Sequence, residues 1–326
     1  MGSSGSGSSG WNAGSLFALP VRVGLVLTAV AATVVVSAVT AVAAPADPAV
    51  GSTYACSGDV AGAAEDPVVL VHGTWTNSVE DFGAVLEPWL TQTGRPFCTV
   101  ELPRRATVDV QISTRFVVDA VLRTANTRGA PVDLVGHSQG GTLAAWAVKS
   151  DPEVAAVVDD VVGLAPVGAP QDTDAVCAAL GGCAAPIWQF SEGSDFMAAL
   201  TSTPFPAGTS ATTISTAFDE LVRPAPAAGA MAGASNLVIQ DVCPLKYVSH
   251  VLLPSDATAI AMLADALDND GPAVESRVGT QSCLQLTPPG TDPLGPLRTA
   301  PTAIAGLVDA QIQTQVLPAE PAYTGP

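Results

Sequence analysis

The chain has 326 residues, with 12 Lys+Arg against 30 Asp+Glu, a formal net charge of -18 and a hydrophobic fraction of 48%. That length leaves room for a sizeable core in one large domain or two ordinary ones. The acid excess excludes a nucleic-acid binder, which needs a basic face to meet phosphates. Two lysines, Lys149 and Lys246, are too few for a polybasic membrane patch, and so apolar a chain is not a disordered one.

Residues 2–10 are a Gly/Ser tract that has nothing to pack. Arg22 then precedes an uncharged run from Val23 to Ala46 that ends in Ala41-Val42-Ala43-Ala44-Pro45-Ala46. A basic flank, an apolar stretch and an A-x-A exit describe a secretory signal, with cleavage expected after Ala43 or Ala46. An uncleaved signal anchor is the alternative, because the run is long enough to cross a bilayer. Either way residues 47–326 are expected outside the cytoplasm. All six cysteines (Cys56, Cys98, Cys177, Cys183, Cys243 and Cys283) lie beyond this run, and an even number in an exported chain suggests disulfides. Six cysteines allow fifteen pairings, among which sequence alone does not choose, although Cys177 and Cys183 are near enough to staple one short loop. No C-x-x-C occurs and the chain has only three histidines, so no metal site is expected.

From about Ala64 short apolar strands alternate with amphipathic segments. Pro67–Val71 is a continuous apolar run of buried-strand type that stops at His72-Gly73. Phe82, Val85, Leu86, Trp89 and Leu90 repeat at helical spacing up to a Gly94 cap, with a kink or early break expected at Pro88. Strands follow at Thr99–Leu102, Val132–Val135, Val161–Ala165, Thr212–Thr216 and Asn236–Val242. Helices are predicted around Phe116–Val121, Gly140–Lys149 and Ala257–Leu267. This alternation implies an α/β fold, a mostly parallel sheet with helices on both faces, within one domain spanning 47–326. The alternation fails between Val167 and Pro206, which reads as a cap insertion. The Pro-rich segment 284–326, with a helix near Ala303–Gln313, is expected to wrap the domain.

The chemistry centres on Gly136-His137-Ser138-Gln139-Gly140, which follows one predicted strand and opens one predicted helix. This is the arrangement of a nucleophile elbow, which lifts Ser138 above the sheet at a helix N-terminus. A serine hydroxyl needs a base. The chain order expected for this elbow is Ser, acid, His, and His250 alone of the three histidines lies downstream of Ser138. The acid must fall between them. Asp219, after a strand end, is the best placed; its neighbour Glu220 should point away, Asp195 and Asp241 are less well placed, and Asp172 and Asp174 lie too early. The oxyanion donors are expected from the N–H of Gln139 and from the loop after the first strand, where Thr74 offers an N–H and a hydroxyl. In the cap, Trp188, Phe190 and Phe196, together with His137 of the elbow, are candidates for substrate contact.

These parts together resemble the secreted α/β-hydrolase lipases of the Candida antarctica lipase B family and their bacterial relatives. The similarity runs from about Cys56 to Cys283. It rests on Leu70-Val71-His72-Gly73-Thr74, Ser138-Gln139-Gly140-Gly141 with Ala145-Trp146, Ala165-Pro166, Trp188-Gln189, Asp219 to Pro224, Val242-Cys243-Pro244-Leu245 and Ser249-His250. The resemblance implies a triad of Ser138, Asp219 and His250, an oxyanion hole at Thr74 and Gln139, and disulfides Cys56–Cys98 and Cys243–Cys283, leaving Cys177–Cys183 to the cap. It implies a monomer that hydrolyses lipid or other carboxylic esters through an acyl-enzyme without a cofactor, with transient contact to a lipid interface. Acyl transfer at the cell envelope and a catalytically silent binding protein are the alternative readings. The chain departs from the family at Gly136-His137, where the family has Thr-Trp, at Val167, where it has an aspartate, and in the cap.

Overall fold

The structure, a computed structural model, describes residues 54–325. The expected signal segment, residues 1–46, lies outside the described residues.

Seven strands form one sheet: β1 (Tyr54–Ser57), β2 (Val68–Val71), β3 (Phe97–Val100), β4 (Val132–His137), β5 (Val158–Leu164), β6 (Ser210–Ser215) and β7 (Ser235–Val238), in spatial order β1-β3-β2-β4-β5-β6-β7. All neighbours run parallel except β1, which pairs antiparallel with β3. The continuous apolar run of β2 follows from burial on both faces. Val69 and Val71 join the core under helices Val110–Arg128 and Gln139–Ser150. Val68 and Leu70 join the opposite core, with Phe82, Leu86, Leu90, Ile260 and Leu263. Period-2 alternation thus sends neighbours to different layers, and neither layer has a polar side to show in the sequence.

The break expected at Pro88 is present, and three other segments differ in extent or detail from the sequence reading. The early helix divides into Ser78–Phe82 and Leu86–Thr93, with the break before Pro88. Pro88 cannot bond the carbonyl four residues back and its ring collides there, so no continuous helix runs through Ala84. The run Asn236–Val242 is a strand only to Val238 and then turns into the helix Ile239–Val242, because the β6 partner ladder ends at the pair Ser215–Val238. The C-terminal helix is longer than expected, Gly295–Gln313, with Pro296 in its first turn where no N–H is needed. The segment 167–206 holds three short helices, Asp174–Leu180, Ala185–Gln189 and Asp195–Ser202. The tail does cross this segment: Cys183 and Leu317 exchange both backbone hydrogen bonds, and Gln111 binds Ala322 and Thr324.

The three disulfides are Cys56–Cys98, Cys177–Cys183 and Cys243–Cys283. The first joins directly paired residues of β1 and β3. Among the described residues no helix is long and apolar enough to cross a membrane.

Candidate active site

The sheet changes direction of progression at β2, with β3 on one side and β4 on the other, and the carboxyl ends of such strands form a crevice. The loops after β2, β4, β6 and β7 all leave from that edge. They carry Thr74, Ser138, Asp219 and His250.

Ser138 sits between β4 and the helix Gln139–Ser150 at φ 55°, ψ -126°, a left-handed conformation that L-residues avoid. The surroundings hold it there. Its N–H donates to the Leu164 carbonyl at 2.8 Å, and its carbonyl accepts from Gly141 N–H at 3.0 Å. The two elbow glycines are required by space: a Cβ at Gly136 would lie within the Gly140 backbone, and one at Gly140 would overlap Val71. Ser138 is half-buried, whereas Gln139 is fully buried.

His250 is fixed at three points. Its Nδ1 lies 2.8 Å from Asp219 Oδ2, its backbone N–H donates to Glu220 Oε2 at 2.9 Å, and its carbonyl oxygen lies 3.1 Å from His137 Nε2. Asp219 is positioned in turn by the N–H groups of Leu221 and Val222, 2.9 and 2.7 Å from Oδ1. Burial works to raise the Asp219 carboxyl, but the hydrogen bond from His250 and the two backbone donors hold it below the ordinary carboxylate range. Only an ionised carboxylate meets these donors, so Nδ1 of His250 carries a proton and Nε2 is the ring nitrogen that Asp219 leaves unengaged. Among the described residues no hydrogen bond joins the Ser138 hydroxyl to the His250 ring. The ring of His137, the neighbour of Ser138, lies 5.0 Å from that of His250 between centroids.

The turn carrying His250 is anchored from below. Lys246 Nζ donates to Thr258 Oγ1 and to the carbonyls of Ser282 and Gln285, each at 2.9 Å, and pairs with Asp256 at 2.8 Å. The Cys243–Cys283 disulfide closes the same region.

Across the crevice the loop after β2 abuts the elbow. Thr74 Oγ1 lies 2.6 Å from Gln139 Oε1, and Gly73 N–H donates to Asp81 Oδ2 at 2.7 Å. The Gln139 N–H opens a helix, where no intrahelical partner claims it. The site therefore offers a hydroxyl on a strained turn, an imidazole whose Nε2 Asp219 leaves unengaged, a carboxylate behind it, and a helix N-terminus for negative charge.

Two residues escaped the sequence reading. Glu220 does not point away; it orders the His250 backbone. Asp81 pairs with His137 at 3.1 Å across 56 positions of chain. A buried imidazole beside the nucleophile needs a polar partner, but nothing in the sequence said which. Conversely, the aromatic candidates are committed to packing. Phe196 is fully buried with its ring 5.7 Å from that of Trp146, and Phe190 is 5.9 Å from Phe196. Trp146 lies two helical turns beyond Ser138, so these rings belong to the core, not to the crevice. Trp188 donates its indole N–H to Leu317 at 2.9 Å. His137 is 3% exposed with both ring nitrogens engaged, which leaves it no free polar edge for substrate.

The chain is similar to Lipase B of Pseudozyma antarctica, 26% identical over 250 residues, covering 71% of this chain and 70% of that one. It is similar in structure to lipase B of Aspergillus fumigatus, at a TM-score of 0.74 and 26% identity, covering 82% of this chain and 68% of that one. Residues 68–312, from the first central strand to the C-terminal helix, match the alpha/beta hydrolase family, and with the strand order and the elbow described above they make this chain a member of that family.

Proposed function

We propose that the chain is an exported serine ester hydrolase of lipase or esterase type, acting through an acyl-enzyme. The observation that carries this reading is the Asp219–His250 pair, whose histidine carbonyl is hydrogen-bonded to His137, the residue before Ser138 on its positive-φ turn. His250 Nε2 takes the Ser138 proton as Oγ attacks the ester carbonyl. Asp219 holds the imidazolium in orientation. The developing oxyanion is met by the N–H of Gln139 and by Thr74. His250 then protonates the departing alkoxide, and water, activated by the same ring, hydrolyses the acyl-enzyme. The lipase B relatives support a lipid or other carboxylic ester as substrate. The apolar run before residue 47 and the three disulfides support export.

The test is hydrolysis of a p-nitrophenyl ester by the wild type and by Ser138→Ala, with fluorophosphonate labelling alongside. The variant should lose about 10³-fold or more in kcat and all labelling. Near wild-type turnover in Ser138→Ala refutes the assignment.

A further inference from the structure

The three histidines meet three different sets of partners, and the partner decides whether a ring nitrogen carries hydrogen or a lone pair. His72 Nε2 accepts from the Leu102 N–H at 2.9 Å, while Nδ1 lies 2.8 Å from the Gly73 carbonyl oxygen, so this ring is neutral with its proton on Nδ1. His250 likewise carries a proton on Nδ1, which faces Asp219. His137 differs. Its Nδ1 faces Asp81 Oδ2 and its Nε2 faces the His250 carbonyl oxygen, each at 3.1 Å. Neither partner can donate: one is a main-chain carbonyl, and the other is a carboxylate oxygen that already accepts from Gly73 N–H. A ring between two acceptors satisfies both only with hydrogen on both nitrogens.

We propose that His137 is a positioning residue acting as a twofold donor, its Nδ1–H bound to Asp81 and its Nε2–H to the main-chain carbonyl of His250. One side chain thereby braces the loop after β2 and the turn of the base against the residue next to the nucleophile. The proposal rests on the reading of His250 as base.

The charges around the ring favour this state. Burial opposes a cation, but Asp81 from the helix Ser78–Phe82, the His250 carbonyl and the charge of Asp219 after β6 outweigh it and hold His137 above the ordinary histidine range. Burial likewise works to raise Asp81, yet the charge and hydrogen bond of His137 and the Gly73 N–H hold it below the usual carboxylate range. The remaining close group is the His250 ring, 5.0 Å away. Once pH rises far enough to deprotonate His137, one of the two bonds goes, and the His250 turn loses its hold on the elbow.

Two measurements test this. In the purified wild-type protein labelled with 15N-histidine, the assigned His137 ring should show protons on both nitrogens at pH 7, and should keep them to a lower pH limit in Asp81→Asn. A single-proton, neutral His137 pattern at pH 7 overturns the proposal without any variant having to fold. In kinetics, His137→Gln places an amide N–H near the Nε2 position and should retain kcat to within about 5-fold; His137→Asn, which reaches only Asp81, should lose about 10- to 100-fold with KM changed less than about 3-fold. Equal losses in the two variants, or a change confined to KM, also overturn it. Fluorophosphonate labelling separates the two readings. An unlabelled Ser138 in a protein with doubly protonated His137 sinks the ester-hydrolase reading; a labelled Ser138 beside a neutral His137 sinks this proposal alone.

Discussion

Gly140 packs so closely beneath β2 that a methyl group on it would overlap the Val71 carbonyl oxygen and stand 2.6 Å from that of His72. Backbone is on both sides, so nothing flexible can yield. Gly140→Ala should therefore cost about 3 kcal/mol, read as a lower denaturant midpoint, and displacement of the elbow should lower kcat/KM by about 100-fold or more. A variant with both values unchanged would show that the elbow has slack which this packing denies.

The Thr74 hydroxyl donates to the buried Gln139 Oε1 at 2.6 Å, and it must turn from that acceptor to serve as one of the proposed oxyanion donors. Thr74→Val keeps shape and N–H but removes the hydroxyl, and should lower kcat about 10- to 100-fold with KM little changed. Thr74→Ser should recover most of the loss. Wild-type kcat in the valine variant would confine oxyanion binding to backbone groups.

Asp160, at the start of β5, is held away from water; burial pushes its carboxyl up to about 7, against the Ser210 hydroxyl bond that favours the charged form and with Asp159 adding to the rise. Below about pH 3 the group is protonated folded or unfolded, and no penalty exists. As pH climbs from there toward 7 the unfolded chain ionises first, so the folded state loses stability until its own carboxyl ionises. Asp160→Asn should remove this loss. Its advantage over wild type should be near zero at about pH 3 and reach about 1–2 kcal/mol by pH 8, measured by urea denaturation at each pH. An advantage that shrinks with rising pH would reverse the sign of the argument.

The disulfides should contribute unequally. Cys56–Cys98 spans a sequence separation of 42, Cys177–Cys183 only 6. Chain-entropy scaling gives about 4 kcal/mol for the longer loop and about 2 kcal/mol for the shorter. Paired Cys→Ser variants compared by thermal unfolding should rank in that order; the reverse order would show that the short bridge does more than close its loop.

Much of the candidate site could be read before any fold was known, because its logic is local or ordinal. Gly136-x-Ser138-x-Gly140 encodes a turn too tight for side chains, and the flanking strand and helix patterns give that turn its context. His250 followed from order alone, since only one histidine lies beyond the nucleophile. Asp219 followed from its place after a strand end. Strand β1 did not announce itself: it is a four-residue edge with three exposed positions, carrying no apolar alternation to detect. Nor did the cap aromatics reveal their role, since a phenylalanine against Trp146 and one against an acyl chain look the same in a sequence.

Taken alone, the order of residues determined the class of fold and the turn that bears the Ser138 hydroxyl, and it singled out His250 as the proposed base, since backbone sterics and chain succession act within a few positions or along one direction. The tertiary structure decided which carboxylates reach which histidines. Asp81 meets His137, and Glu220 meets the main chain of His250, only because parallel strands deliver separate loops to one edge of the sheet. Buried polar groups must find partners wherever the fold brings them, and that requirement has no period or spacing that a sequence can display.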